Sequence, residues 1–100
     1  MFSYDGNIGA GVVLNFTGNP RVVPQFFRAI LNEFRGRRIP GGFSMTSPTP
    51  GGLGEWVQLN SPNLNTIHLS PRHASFIAAI LVNEGLITSS LEGNAVYLQF

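Results

Sequence analysis

The chain of 100 residues has 43% hydrophobic and 11% charged positions, with 12 Gly, 7 Pro and no Cys. This length fits one domain spanning residues 1–100. The lack of Cys excludes disulfides, Cys-ligated metals and thiol catalysis. No apolar run reaches the roughly 18–20 residues of a membrane-spanning helix. No signal-peptide pattern precedes the first predicted element, so we expect a cytoplasmic protein with no membrane contact.

The charge content is low for a soluble domain, in which roughly a quarter of the residues are normally charged. Every basic residue is Arg, and the net charge is +1. Nearly neutral surfaces promote association. This composition favours a domain whose surface meets a protein partner or a second copy. The alternative is a monomer covered by Gly, Pro, Ser, Asn and Thr.

The first third of the chain predicts a strand and a helix. Residues 1–10 are rich in Gly and Asn and predict a loose or edge segment. Residues 11–16 are a β-branched apolar run between breakers, which favours a strand. Apolar pairs recur every four residues between Val22 and Phe34. This spacing predicts an amphipathic helix near 20–35.

Capping signals flank that helix. Asn19 is a suitable N-cap, Pro20 suits the first turn, and Gly36 can adopt the left-handed conformation after the last turn. Pro24 must lie within the first turn, because a proline deeper in the helix would break its hydrogen bonds.

The middle of the chain predicts loops and short strands. Residues 36–54 form a long connection rich in Gly and Pro, in which alternation over 43–47 allows a short edge strand. Alternating apolar positions predict a strand over 55–60. A second short strand is predicted over 66–69 after an Asn- and Pro-containing turn.

The last third predicts a second helix and a closing strand. Ser70 is a suitable N-cap, and Pro71 suits the first helical position. The helix should run over 71–84 to Gly85, and its middle is apolar nearly all round, which predicts the more buried of the two helices. The alternating segment 95–100 predicts a strand.

The element order βαββαβ predicts an α+β, ferredoxin-like sandwich, in which two helices cover one face of a mostly antiparallel sheet. The alternative is a winged-helix-like C-terminal half, in which helix 70–84 is a recognition helix and the following residues form a wing. The sequence disfavours this alternative because the Gly- and Pro-rich stretch 36–54 offers no earlier helix.

The junction between the 66–69 strand and the second helix is a candidate anion site. Free backbone N–H groups and the positive end of the helix dipole meet here. His68, Ser70, Arg72 and His73 supply further donors, which predicts binding of a phosphate or another anion. The alternative is an ordinary Ser-Pro helix start with surface histidines.

A cluster of arginines after the first helix is a second candidate. Arg35, Arg37 and Arg38 could grip a phosphate or carboxylate from a Gly-rich loop. The alternative is that they stabilise the C-terminal end of the helix dipole. Together with Arg72, they are the residues through which nucleic acid would be bound.

The outward sheet face is a third candidate. Strand alternation directs one set of side chains to the core: Val57, Leu59, Ile67, Leu69, Val96 and Leu98. It directs another set outward: Trp56, Gln58, His68, Tyr97 and Gln99. Exposed Trp, His and Tyr side chains could stack bases or meet a second sheet in a dimer.

Patterns for catalysis are absent from the sequence. The acidic residues are scattered, the two histidines do not have the spacing of a metal pair, and no nucleophile motif surrounds Ser70. We therefore expect no catalytic residues, no metal and no cofactor. The predicted function is a small non-catalytic protein-interaction or regulatory module that forms a homodimer or docks on a protein partner. The alternative, which we do not favour, is nucleic-acid or phosphate-ligand binding through the arginines and the open sheet face.

Overall fold

The computed structural model describes residues 3–15, 18–65 and 68–100. In chain order, its elements are β1 (Tyr4–Asn7), β2 (Gly11–Leu14), β3 (Arg21–Val22), α1 (Pro24–Glu33), β4 (Arg38–Pro40), α2 (Leu53–Leu64), α3 (Pro71–Asn83), β5 (Thr88–Glu92) and β6 (Ala95–Gln99). The predicted α+β class is confirmed.

The strands form two antiparallel sheets of three strands each, in the orders β1-β2-β3 and β4-β6-β5. This separation means that the ferredoxin-like sandwich is not confirmed in detail. From α1 onward, the order is α1-β4-α2-α3-β5-β6, so α3 is preceded by α2, the earlier helix that the winged-helix alternative requires and that the sequence did not reveal. In that alternative, α3 would be the recognition helix and the β5–β6 hairpin would be the wing.

Helix α1 carries the predicted apolar stripe but begins later than expected. Phe26, Phe27 and Ile30 are fully buried, and Pro24 occupies the first turn as predicted. The prediction that Asn19 and Pro20 start the helix is wrong, because residues 21–22 pair with β2 as strand β3. The N-cap is Val23.

Helix α2 replaces the strand predicted over 55–60, and this is the main correction to the sequence analysis. Its buried residues are Leu53, Gly54, Val57 and Ser61, a spacing that follows helical turns. Two of these four are Gly and Ser, so the buried stripe does not stand out as apolar in the sequence.

Helix α2 also separates Val57 from Leu59, which the predicted strand had placed on the same face. Val57 is buried, whereas Leu59 is 65% exposed. Residues 66–67, including Ile67, lie outside the described residues, and 68–70 form no strand. The optional strand over 43–47 is irregular chain, and β4 lies before it.

Helix α2 begins where its backbone meets the loop after β4. The backbone N–H of Gly54 donates to the carbonyl oxygen of Gly41 at 2.8 Å. A Cβ atom at position 54 would overlap the carbonyl oxygen of Gly42. The Glu55 carboxylate accepts the N–H of Gly51 at 3.1 Å, which satisfies a donor before the first turn. This contact fixes the start of α2 against the loop that follows the β4 edge of the second sheet.

A buried hydroxyl joins α2 to the segment that leads into α3. Ser61 is fully buried, and its Oγ accepts the N–H of Leu69 at 2.7 Å and donates to the Leu69 carbonyl at 3.2 Å. One side chain thus satisfies two buried backbone groups. This pair of hydrogen bonds helps to hold the segment before α3 against α2.

Helix α3 confirms the second predicted helix. It runs over Pro71–Asn83 with Ser70 as N-cap, and Gly85 follows in the left-handed region at φ +77°. Strand β6 confirms the closing strand. Strand β5 was not predicted, because its Thr-Ser-Ser start lacks an apolar alternation.

We predict that Gly54→Ala destabilises the protein by about 1–3 kcal/mol, because the added methyl overlaps backbone. At an open helix position the same change would stabilise by about 1 kcal/mol, so the sign of the change is diagnostic. Denaturant unfolding measures it. The control Gly9→Ala meets only the Asn7 side chain, at 3.4 Å, and should change stability by less than about 0.5 kcal/mol. A Gly54→Ala protein as stable as the parent would contradict the proposed contact.

We also predict that Ser61→Ala lowers the free energy of unfolding by about 1–3 kcal/mol, because both backbone groups of Leu69 lose their partner in a buried place. The matched control is Ser75→Ala in α3. Its hydroxyl donates to the Arg72 carbonyl in an exposed hydrogen bond, which water can replace. Equal losses for the two variants in denaturant unfolding would refute this role of Ser61.

Candidate functional site

The arginines of the predicted cluster are bound separately by neighbouring residues. Arg35 donates to the Asn32 side chain at 2.9 Å. Arg37 lies 3.7 Å from the Glu33 carboxylate, and its guanidinium carbon is 5.4 Å from the centre of the Phe34 ring. All these contacts lie at the end of α1. These contacts agree with the alternative interpretation, in which the arginines stabilise the end of the helix. The guanidinium groups of Arg35 and Arg37 have different partners and do not converge on one site for a phosphate or carboxylate.

Arg38 projects onto the outer face of the second sheet. It forms an ion pair with Glu92, and its guanidinium carbon lies 4.3 Å from the centre of the Tyr97 ring. Cross-strand pairing puts Arg38 beside Gln99, on the face opposite the buried Leu98. Tyr97 is therefore on the outward face, as predicted, where it is half-buried and has the Arg38 guanidinium over its ring.

Trp56 is not on a sheet face, which corrects the third candidate site. It lies on α2, half-buried, with its ring centre 5.5 Å from that of Phe26 and 5.9 Å from that of Phe34. Its neighbours in a shallow hollow include Arg37. His68 is exposed in the segment before α3. The predicted aromatic face of Trp56, His68 and Tyr97 does not assemble.

The candidate anion site at the start of α3 is a helix cap. The Ser70 N–H donates to Nδ1 of His73 at 3.0 Å, and Ser70 Oγ lies 3.0 Å from the same nitrogen. Arg72 is exposed beside them. These contacts place Ser70, Arg72 and His73 together, as the sequence predicts, but they direct Ser70 and His73 to each other. The contacts between Ser70 and His73 are those of a helix N-cap.

An uncharged groove lies between α3 and the β5–β6 hairpin. It encloses about 400 Å³. Serine and asparagine side chains (Ser75, Ser89 and Asn83) supply its polar lining atoms. Its apolar lining comes from Phe43, Ala78, Ala79, Val82, Val96 and Leu98.

Two further hollows extend the groove in both directions. One shares Ala79 and Asn83 with it and reaches Tyr4 on β1. The other shares Phe43 and Val96 and reaches the tip of the hairpin at Asn94. In the part of the chain that the structure describes, no Arg, Asp, Glu or His lines any of the three. The face made by α3 and the hairpin is therefore a long surface without formal charge.

Strand pairing shows which hairpin residues belong to this face. Ser89 lies opposite Leu98, and Leu91 lies opposite Val96. Residues paired across an antiparallel sheet project from the same side. Leu91 therefore projects from the groove side of the sheet, where it is 71% exposed.

Sequence reasoning missed this groove, although one signal pointed towards it. The helix over 71–84 was predicted to be buried because it is apolar nearly all round. In the structure its apolar residues include the exposed Ala79 and the 37% exposed Val82. Such residues, left uncovered on an apolar helix, indicate a surface that meets something else. The other half of the groove needs β5, which the sequence did not reveal.

The cap of α3 predicts a pH-dependent stability. Burial lowers the pKa of the His73 ring below its usual value, and the nearby Arg72 and His68 lower it further. The unfolded chain then binds more protons than the folded one below about pH 6.5. Stability should be full above that pH and should fall as the pH drops through it towards the folded pKa.

We predict that His73→Gln reduces this loss, because glutamine keeps an acceptor for the Ser70 N–H but does not titrate. The measurement is denaturant unfolding at a series of pH values. His68→Gln, at an exposed position, is the control and should retain most of the loss. A His73→Gln protein with the pH profile of the parent would show that another group is responsible.

The described residues contain neither a cluster that could hold a metal ion nor a helix that could span a membrane. Among the described residues, no three His, Asp or Glu side chains come together as a metal site would require. No helix in the same ranges has the length and apolar character to cross a bilayer.

Comparison with known proteins finds no relative. No protein-family model matches the chain, and neither a curated protein nor a solved structure is significantly similar to it.

Proposed function

We propose that this protein is a non-catalytic protein-interaction module whose contact surface is the groove between α3 and the β5–β6 hairpin. The observation that carries the proposal is the uncharged, mainly apolar lining of a groove of about 400 Å³. The exposed Leu91 and Val82 lie on the same side. The sequence predicted the same function from the low overall charge, but on a different surface.

The chemistry of the groove matches the centre of a protein interface. Such centres are depleted in charged residues and bury apolar side chains, while the surrounding rim is polar. Here Ala79, Val82 and Val96 supply apolar surface, and Ser75 and Asn83 supply hydrogen-bonding groups. Burying this face against another protein would leave no formal charge unpaired, which removes the main penalty for desolvating it.

Nucleic-acid binding has less support, although α2 precedes α3 and a hairpin follows it, as the winged-helix alternative requires. Phosphate contacts come mainly from Arg and Lys, and they supply most of the affinity. The chain has no Lys, and Arg72 is the single Arg of α3. Arg38, near the hairpin, is held by Glu92 and Tyr97. The groove beside α3 is uncharged and mainly apolar, so it offers no cation to a phosphate backbone.

We predict that Ala79→Arg weakens association at least about tenfold, because it places an unpaired charge in the apolar groove. Ala79 is exposed on a helix, so arginine fits without disturbing the core. Association is measured in two assays: sedimentation over a concentration series, and capture of partners from an extract of the source cells. Gln25→Arg, at an exposed position of α1, adds the same charge elsewhere and is the control.

Association unchanged by Ala79→Arg in both assays would overturn the proposal, and so would the absence of any association. Titration with labelled single-stranded oligonucleotides at low and moderate salt provides a further test. We expect no binding at low salt. Binding that weakens steeply with salt and is lost in Arg72→Ala would replace the proposal with the nucleic-acid alternative.

A further inference from the structure

Strand β5 is an edge strand, and its outward backbone groups can be identified from the hydrogen bonds of its neighbours. In the β4–β6 pair, the Gly41 N–H donates to Val96, and the Phe100 N–H donates to Arg37. The even-numbered residues of β6 therefore point their backbone groups towards β4, and the odd-numbered ones point towards β5. By the register of β5, Thr88, Ser90 and Glu92 bond to β6.

The backbone groups of Ser89 and Leu91 consequently point away from the sheet. No hydrogen bond joins them to another residue in the described ranges. All five residues of β5 are exposed. The strand carries no Pro and no Lys, which are common protections of a sheet edge. The opposite edge differs, because β4 contains Pro40, which has no N–H to offer.

We infer that β5 pairs with β5 of a second copy, antiparallel and about a two-fold axis at Ser90, so that the two three-stranded sheets become one. This inference rests on the proposed function and names the occupant of the groove. In this register Ser89 of each copy lies opposite Leu91 of the other, which pairs the backbone groups that point outward. A two-fold interface requires such self-complementarity, and this strand provides it.

The same register brings the side chains of the two copies into the groove. Leu91 projects from the groove side and is 71% exposed, which makes it the most exposed large apolar side chain of the described residues. Opposite it lies Ser89 of the other copy, and Ser89 lines the groove. Leu91 of each copy therefore meets the mouth of the other copy's groove. The protruding leucine and the groove are complementary parts of one surface.

Charge and area are consistent with a second copy as the occupant. In this register Glu92 lies opposite Thr88, away from the other Glu92, and it already pairs with Arg38. Each copy carries a net charge of +1, so repulsion between the copies is small. A standard interface covers about 800 Å² on each side, roughly a seventh of this chain's 5510 Å². A five-residue strand covers part of that area, and the groove with Leu91 supplies more.

The first test is sedimentation over a concentration series with Ser89→Pro. Proline removes the outward N–H of Ser89 but no hydrogen bond to β6, so the folded monomer should persist, as circular dichroism would show. We expect dimerisation of the parent to weaken at least about tenfold in this variant. Ser89→Ala keeps the N–H and is the matched control. Leu91→Ser, at an exposed position, should also weaken the dimer without unfolding the chain.

The second test uses the absence of Cys from the chain. With the axis at Ser90, two Ser90→Cys copies bring their Cα atoms about 4.5 Å apart, which falls within the range that a disulfide bridges. We expect Ser90→Cys to form a covalent dimer on mild oxidation. Thr88→Cys on the same strand, which faces Glu92 of the other copy, should form it much more slowly.

Three results would overturn the inference. They are a protein that stays monomeric at every concentration, a dimer unaffected by Ser89→Pro, and equal cross-linking of Ser90→Cys and Thr88→Cys. The proposed function fails separately. A monomer that still captures a partner through a groove sensitive to Ala79→Arg would leave the function standing and remove only the second copy as its occupant.

Discussion

The close approach of Gly54 to the loop after β4 is the contact on which the rest of the structure depends. Because position 54 has no side chain, the first turn of α2 reaches the Gly42 carbonyl and bonds to Gly41. The helix that starts there places Ser61 where it binds both backbone groups of Leu69. That link fixes the segment leading into α3, and α3 forms one wall of the groove. The start of α2 thus lies against both the loop after β4 and Pro71, the first residue of α3, and it helps to determine where α3 and its groove lie.

The arginines that follow α1 and the groove lie on different parts of the protein surface. The arginines after α1 are held by Asn32, Glu33 and the Phe34 ring, and Arg38 is held by Glu92 and Tyr97. These contacts keep guanidinium groups on the outer face of the hairpin sheet and at the end of α1. The opposite face of the hairpin is left to apolar and small polar side chains. The few charged residues are therefore unevenly distributed over the surface of the protein. The uncharged side of the hairpin sheet is the one suited to burial against another protein.

Sequence reasoning succeeded where burial shows as an apolar stripe and a cap marks the end of an element. Helix α3, with Ser70 before it, meets both conditions, whereas α1 and strand β6 meet only the first. It failed at α2, because Gly54 and Ser61 are buried for a close approach and for hydrogen bonds, which hydropathy cannot register. It failed at β5 because a polar edge strand is recognisable only from its partner. The groove needs β5 as well as α3, so the sequence alone could not predict it. The predicted role of Trp56 required a strand over 55–60, and that segment is part of α2.

The side chain of Asn65 has a consequence for how the chain folds. It accepts the Val23 N–H at 2.9 Å and donates to the Arg21 carbonyl at 2.8 Å, which ties the end of α2 to the turn between β3 and α1. Asn83 in turn donates to the Tyr4 hydroxyl at 3.0 Å, across nearly the whole chain. Contacts between residues so distant in sequence form only after long loops have closed, which slows folding. The docking of the N-terminal strands onto the ends of α2 and α3 is therefore expected to be a late step of folding, whereas the pairing of β1 with β2 is local.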